Sequence, residues 1–155
     1  VLSSVREIQL AIEAIRALNK PYLIGAHISE GVKLPSGEKI SDIIHKIKHQ
    51  NLLGLMLSCV SPENYEQNLD EIKSLGVPFG FKLNGFVTTK PKAGYTSTFN
   101  KSKSGNPNEF LGVRKDLTPE KMSEFVKNFK EAGATILGGC CETRPAHIME
   151  MAKLK

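Results

Sequence analysis

The sequence predicts an α/β fold with parallel strands, and three observations carry that prediction. Short unbroken apolar runs alternate with segments of helical periodicity, and Gly, Pro or Asn punctuates the junctions between them. The runs also lack the apolar–polar alternation of a strand with one wet face. Strands of that kind lie in sheets whose faces are covered by right-handed crossover helices.

The elements follow in order. Residues 5–18 place Val5, Ile8, Ile12, Ile15 and Leu18 on one helical face, and Asn19 and Pro21 end that helix. "PYLIGAH" then reads as a short buried strand. Beyond a turn region with Gly31, Pro35 and Gly37, the spacing of Ile40, Ile43, Ile44 and Ile47 marks a second helix. "NLLGLMLSC" is the second strand. Ser61 caps the next helix, with Pro62 in its first turn and Glu63 favourable to the helix dipole. That helix is expected to run unbroken to about Leu75 and to stop at Gly76. "VPFGFKLN" is the third strand, followed by a long polar segment over about 88–117. Thr118 and Pro119 start a helix through "EKMSEFVKNFKEAG" that Gly133 closes. "ATILGG" is the fourth strand, and Pro145 begins a last helix.

The predicted order is α-β-α-β-α-β-α-β-α. Four βα units form either a small open sheet or half of a (βα)8 barrel of the TIM type, for which about 250 residues is typical. The chain has 155 residues, opens at Val1 on the edge of an amphipathic helix, and cuts its last helix short. The expectation is therefore a half-barrel, a piece of a longer protein.

Composition excludes several classes. At 40% hydrophobic and 24% charged residues the chain reads as globular. No apolar run approaches the roughly 18 residues of a membrane span, and no secretory signal pattern opens it. The net charge of +5 does not mark a nucleic-acid surface. Five lysines and no acid lie between Lys82 and Asn108, among Gly, Ser, Thr and Asn, which describes a solvated loop. A nucleic-acid patch would interleave aromatics and arginines. Three cysteines without a secretory signal fit a reducing, cytoplasmic compartment. A Cys140–Cys141 disulfide would close a strained eight-membered ring, so thiols or thiolates are expected.

Cys59 ends the second strand, and Cys140 and Cys141 end the fourth, 81 residues after Cys59 in the case of Cys140. In parallel α/β architectures, sites form at the carboxyl ends of strands. Adjacent strand side chains point to opposite faces. Gly138 and Gly139 are read as letting the backbone leave the extended conformation, so that both following sulfurs turn inward. Three thiolates suit Zn²⁺ with an open fourth position, as in catalytic sites. Spacing alone leaves a second reading open: inert buried cysteines, since the familiar C-x-x-C pairs are absent.

"GGCC" after an apolar strand, followed by "TRPAHI", resembles the carboxyl-terminal signature of the zinc-dependent homocysteine S-methyltransferases. "LMLSCVSPENY" is similar to the family segment that bears the first zinc cysteine, and "KLNG" stands where the family often has a strand ending in Asn. The resemblance runs over nearly the whole chain and implies the second half of the family's barrel, residues 1–155. It implies Zn²⁺ ligation by Cys59, Cys140 and Cys141, and a place for Asn84 in the substrate pocket. Two positions depart from the family pattern: Glu142 stands where a small residue, often Gly, follows the cysteine pair, and Ser58 stands where Asn is more usual. The family's amino-terminal strands, which bind the amino acid part of homocysteine, have no counterpart here.

The implied chemistry is methyl transfer to the thiol of homocysteine, giving methionine. Three thiolates and Zn²⁺ sum to about −1, so the metal would be a mild Lewis acid that binds the substrate thiol and favours its deprotonation. The metal would generate and orient the nucleophile without a side-chain general base. The donor stays open among S-methylmethionine or S-adenosylmethionine, betaine, and a folate or corrinoid system. Competing readings are a zinc methyltransferase for another thiol, and a non-catalytic zinc-binding or assembly fragment. The activity is expected of the longer parent and not of this fragment alone, whose sheet edges should pair with the missing amino-terminal half-barrel or with a second copy.

Other candidates are weaker. His45 and His49 stand at i and i+4 but lack the Glu of H-E-x-x-H, and read as a solvated helix face. His27 follows the first strand and should line the pocket or hydrogen-bond within a loop. His147, near the start of the last helix, is read as a structural hydrogen-bonder with substrate contact as the alternative. Arg144 either meets a carboxylate or is simply exposed. "SPENY" and "TPEKM" are helix starts with no chemistry assigned.

Overall fold

The computed structural model describes residues 1–43, 51–90 and 109–154. Its elements are α1 (Val5–Arg16), β1 (Tyr22–Ala26), β2 (Leu52–Val60), α2 (Pro62–Gln67), α3 (Leu69–Ser74), β3 (Phe79–Leu83), α4 (Pro119–Glu131) and α5 (Pro145–Ala152). Short 3-10 turns cover Ile40–Ile43 and Glu109–Leu111. Ile44, Ile47, His45 and His49 lie outside the described residues, as do Lys92, Lys101 and Lys103 of the lysine-rich segment. Among the described residues no helix is long and apolar enough to cross a membrane.

The sheet is parallel and winds in one direction, in the order β1-β2-β3. Isolated parallel bridges extend it at both sides: Leu2 pairs with Ala26 next to β1, while Ile136 and Gly139 pair with Gly80 and Leu83 next to β3. Neighbours in space are thus neighbours in sequence, with no reversal of strand order.

Helices cover one face of this sheet. Tyr22, Ile24 and Ala26 of β1, Leu55 and Leu57 of β2, and Phe79 and Phe81 of β3 are buried there with Ile8 and Ile12 of α1 and Val126 and Phe129 of α4. Tyr65, Phe81 and Phe129 meet edge to face with ring centroids 4.7–5.5 Å apart, which joins α2, β3 and α4. The other face carries Gly25, Met56 and Lys82, all half-buried. At its amino end Leu23 is 43% exposed, so the expectation of a sheet covered on both faces does not hold for the described residues.

Three elements differ from their expected form. α1 ends at Arg16, with Asn19 in the left-handed region at φ 47°, and Leu18 therefore lies outside the helix and 64% exposed instead of on its buried face. The single helix expected from Ser61 to Leu75 breaks at Asn68. Asn68 is fully buried and its Nδ2 donates to the carbonyls of Asn64 and Gly31, both at 2.8 Å. Its side chain thus takes the Asn64 carbonyl, the i−4 acceptor, while its backbone N–H turns to Tyr65 at 3.0 Å.

The fourth strand forms two bridges and no continuous ladder. Gly138 and Gly139 offer no side chains to pack across it, and the segment is held by backbone bonds to β3: Thr135 N–H to Phe79 O and Phe81 N–H to Ile136 O, both at 2.9 Å, Leu83 N–H to Gly138 O at 3.0 Å, and Cys140 N–H to Leu83 O at 2.7 Å. Gly80 permits this close approach, because a Cβ there would collide with the Ile136 carbonyl. Backbone cannot yield as a flexible side chain does. Gly80→Ala is expected to cost about 1–3 kcal/mol, read as a lower urea midpoint with an unchanged slope. An unchanged midpoint would show that residue 136 does not press on β3.

Candidate metal centre

β3 separates β2 from the segment that carries Cys140 and Cys141. Neighbouring strands lie about 4.8 Å apart, so these two tracks are roughly 10 Å apart across β3. Sulfurs from both can meet only over the end of the intervening strand.

On β2 a bulge does this. Ser58 pairs with Lys82 and Val60 with Leu83, which leaves Cys59 without a partner. Cys59 takes φ 59°, a left-handed conformation that costs a non-glycine residue about 1–2 kcal/mol. On the other side a tight turn spans Cys140–Thr143. Thr143 donates to the Cys140 carbonyl through N–H at 3.3 Å and Oγ1 at 2.6 Å, and Glu142 sits in the turn at φ 60°. A positive φ at that place in a turn favours Gly.

This corrects the role expected of the glycine pair. Neither Gly138 nor Gly139 has positive φ; the reversal is made at Glu142. Gly139 instead makes room, since a Cβ on it would collide with the Thr143 side chain that closes the turn. Gly85, just past β3, does the same for Glu142, whose Cβ would lie 3.2 Å from an added Cβ.

The result is a cluster of three half-buried free thiols, Cys59, Cys140 and Cys141, with all sulfurs within 4.8 Å of one another. Cys59 Sγ is 3.8 Å from Cys141 Sγ, and Cys140 Sγ is 3.9 Å from Cys141 Sγ. Tetrahedral Zn²⁺ with bonds of about 2.3 Å needs sulfurs about 3.8 Å apart. The donor set therefore fits a thiophilic cation with one position left over. Charge is shared unequally in the cluster. The neighbouring Cys59 thiol, then the backbone and thiol of Cys141, and last the Lys82 ammonium hold the Cys140 thiol down at about 5, while the Cys59 thiol itself lies 3.8 Å from Cys141 Sγ. Cys59 is pushed up by the neighbouring Cys140 thiol and by burial, and Cys141 is raised chiefly by burial.

The remaining candidates divide. Asn84 is fully buried at the end of β3, with Nδ2 3.9 Å from Cys59 Sγ and Oδ1 accepting from Phe86 N–H at 3.0 Å. His27 stands at the same rim, but its ring contacts the Ser58 carbonyl and the Ser29 hydroxyl and no sulfur. His147 is away from the cluster: Nδ1 accepts from Arg144 N–H and Nε2 donates to the Leu117 carbonyl, both at 3.0 Å, which ties the start of α5 to the loop before α4. The Arg144 guanidinium is largely exposed, 3.8 Å from the Glu142 carboxylate.

Arg114 and a nearby cavity escaped the sequence reading. Arg114 bridges Glu63 at 2.7 Å and Asp116 at 2.6 Å, and its N–H donates to Gly85 O at 2.8 Å. It seats the 109–117 segment on the start of α2 and holds the Glu63 carboxyl below its ordinary range. No motif announces that pairing, because its partners come from three separate segments. Glu63, Asn64, Ser29, Ser61, Asn84 and Phe86 help to line a cavity of about 230 Å³ that shares Asn84 with the cysteine cluster.

The fold and site together define an α/β protein with a thiol-rich candidate metal centre at the carboxyl rim of a parallel sheet. The chain belongs to the homocysteine S-methyltransferase family, whose model matches residues 1–154. It is 28% identical over 141 residues to homocysteine S-methyltransferase 1 of Saccharomyces cerevisiae, covering 87% of this chain and 39% of that protein. It is 22% identical over 125 residues to homocysteine S-methyltransferase 1 of Arabidopsis thaliana, covering 80% of this chain and 34% of that one. In fold it is similar to the crystal structure of the homocysteine methyltransferase MmuM from Escherichia coli in oxidized form, with a TM-score of 0.69, 19% identity, and coverage of 99% of this chain and 43% of that one. The chain thus spans about two-fifths of the length of these relatives.

The turn at Glu142 generates a direct prediction. Glu142→Gly removes the left-handed penalty of about 1–2 kcal/mol at the smaller cost of glycine's chain entropy. The variant is expected to melt a few degrees higher than the parent chain by circular dichroism. A lower melting temperature would mean that the carboxylate stabilises the turn by more than its backbone costs.

Proposed function

We propose that this chain is the carboxyl-terminal half of a (βα)8-barrel homocysteine S-methyltransferase domain, residues 1–155, which in its complete form transfers a methyl group to the thiol of homocysteine to give methionine. The observation that carries this reading is the sulfur geometry: three thiols within 4.8 Å of one another, two of the separations at 3.8 and 3.9 Å, on the carboxyl rim of a one-directional parallel sheet. Single-direction winding supports a barrel wall over a doubly wound sheet, which reverses strand order at a switch point. The exposed Leu23 on the uncovered face supports a need for the other half-barrel or a second copy. Three free thiols favour a reducing compartment such as the cytoplasm.

Cys59, Cys140 and Cys141 would hold Zn²⁺, which when bound supplies a position for the substrate thiol and favours its ionisation. The chain's own residues then set the geometry. The bulge at Cys59 and the turn at Glu142 aim the sulfurs over β3. Asn84 directs its amide at the Cys59 sulfur and borders the adjoining cavity, where it would contact substrate. Neither His27 nor His147 has a ring nitrogen free for general-base work, since each nitrogen already has a partner. The homocysteine thiolate attacks the donor's methyl carbon in line. The new S–C bond forms as the bond from the methyl group to the donor breaks, and the electron pair leaves with the donor. The donor is a small onium compound, S-methylmethionine, S-adenosylmethionine or betaine, or a folate or corrinoid system.

Metal analysis tests the site and a donor panel tests the reaction. The purified chain is expected to hold about one Zn²⁺ that Cys59→Ala, Cys140→Ala and Cys141→Ala each release. Stoichiometric zinc retained by Cys141→Ala would overturn the three-thiolate assignment. The chain joined to the amino-terminal portion of its parent is expected to make methionine from homocysteine with one of these donors. No turnover with any of them would overturn the substrate assignment.

A further inference from the structure

Cys59 has no strand partner, so its peptide must be held by something other than the ladder. The carbonyl of Ser58, directly before it, lies 3.1 Å from His27 Nδ1. A carbonyl can only accept, so Nδ1 carries the proton and donates. In the neutral ring Nε2 then accepts from the Ser29 hydroxyl at 2.8 Å. His27 is itself pinned where β1 ends, because its backbone N–H donates to the Leu2 carbonyl at 2.9 Å. On the opposite side of the bulge, Asn84 N–H donates to the Val60 carbonyl at 2.9 Å. The carbonyls on both sides of Cys59 are therefore tied from different strands, one of them by an imidazole fixed at both nitrogens.

We infer that His27 is a positioning residue: it holds the Ser58–Cys59 peptide in the bulge, so that the Cys59 sulfur faces Cys140 and Cys141. β1 has run out at this level and supplies no backbone donor to the Ser58 carbonyl, and the imidazole takes that place. Without it the peptide is free to rotate, and Cys59 can relax from its left-handed conformation toward the extended one. That relaxation carries its sulfur away from the other two. The inference rests on the metal reading of the cluster, because the function assigned to this geometry is cation binding.

Co²⁺ titration of the whole chain against a competing chelator tests it, with His27→Ala and His27→Asn compared. An Asn amide can occupy the Nδ1 position and donate to the same carbonyl. The wild-type chain and His27→Asn are expected to show the full thiolate-to-Co²⁺ absorption. His27→Ala should lose about tenfold or more in affinity, with an absorption per metal close to that of Cys59→Ala. Unchanged affinity and absorption in His27→Ala would overturn the inference, as would a loss that His27→Asn fails to rescue. A wild-type chain that binds no Co²⁺ would count against the metal reading instead. The brace is then read from the metal-free chain, as a several-fold faster alkylation of Cys59 by iodoacetamide in His27→Ala with Cys140 unaffected. Equal Cys59 rates would overturn it.

Discussion

Two strands on either side of a third cannot bring their side chains together unless both chains depart from extended geometry at their ends. β2 and the segment before Cys140 are in that position, with β3 between them, and their sulfurs nonetheless come within 4.8 Å. The structure meets the constraint by placing two non-glycine residues in the left-handed region, Cys59 at φ 59° and Glu142 at φ 60°. Much of the surrounding detail serves that convergence. Gly85 and Gly139 clear space for the turn, Thr143 closes it, and His27 and Asn84 hold the bulge.

The strain at these positions is small beside the hydrophobic burial that fixes the strands. Phe79, Phe81, Leu55 and Leu57 are buried beneath the helices, and the Tyr65–Phe81–Phe129 contact locks β3 to α2 and α4. A rigid sheet makes a strained rim possible: local penalties of about 1–2 kcal/mol per residue persist only where packing over-determines the backbone. The sheet's uncovered face shows the converse. With glycine at 25 and 80 and a half-buried lysine at 82, that face has little apolar packing of its own among the described residues.

Charge in the cluster follows from the same geometry. Three thiols this close cannot ionise independently, and the neighbouring Cys59 and Cys141, with the Lys82 ammonium, hold the Cys140 thiol below its ordinary range. Cys59 correspondingly holds its proton more tightly. A divalent cation relieves that competition, which is a physical reason for such a cluster to favour a metal over three free thiols.

Local signals in the sequence determined the parallel α/β class, the positions of β1, β2 and β3, and the capped starts at Ser61 and Thr118, because apolar runs and caps act within a few residues. They also named Cys59, Cys140 and Cys141 as one group, since strand ends share a rim in this architecture. Tertiary structure alone decided how the group forms. Of the glycine pair read as the hinge, Gly139 is spacing for Thr143, and Glu142, which departs from the family pattern, is the reversal point of the backbone. The break at Asn68 depends on the Gly31 carbonyl, 37 residues away. The His27 brace depends on Ser58, 31 residues away, across a bulge whose existence no local pattern records. Periodicity and capping are short-range properties of the chain. A bulge, a buried side-chain amide and a bond across strands answer to register, and register is set only when the strands pack.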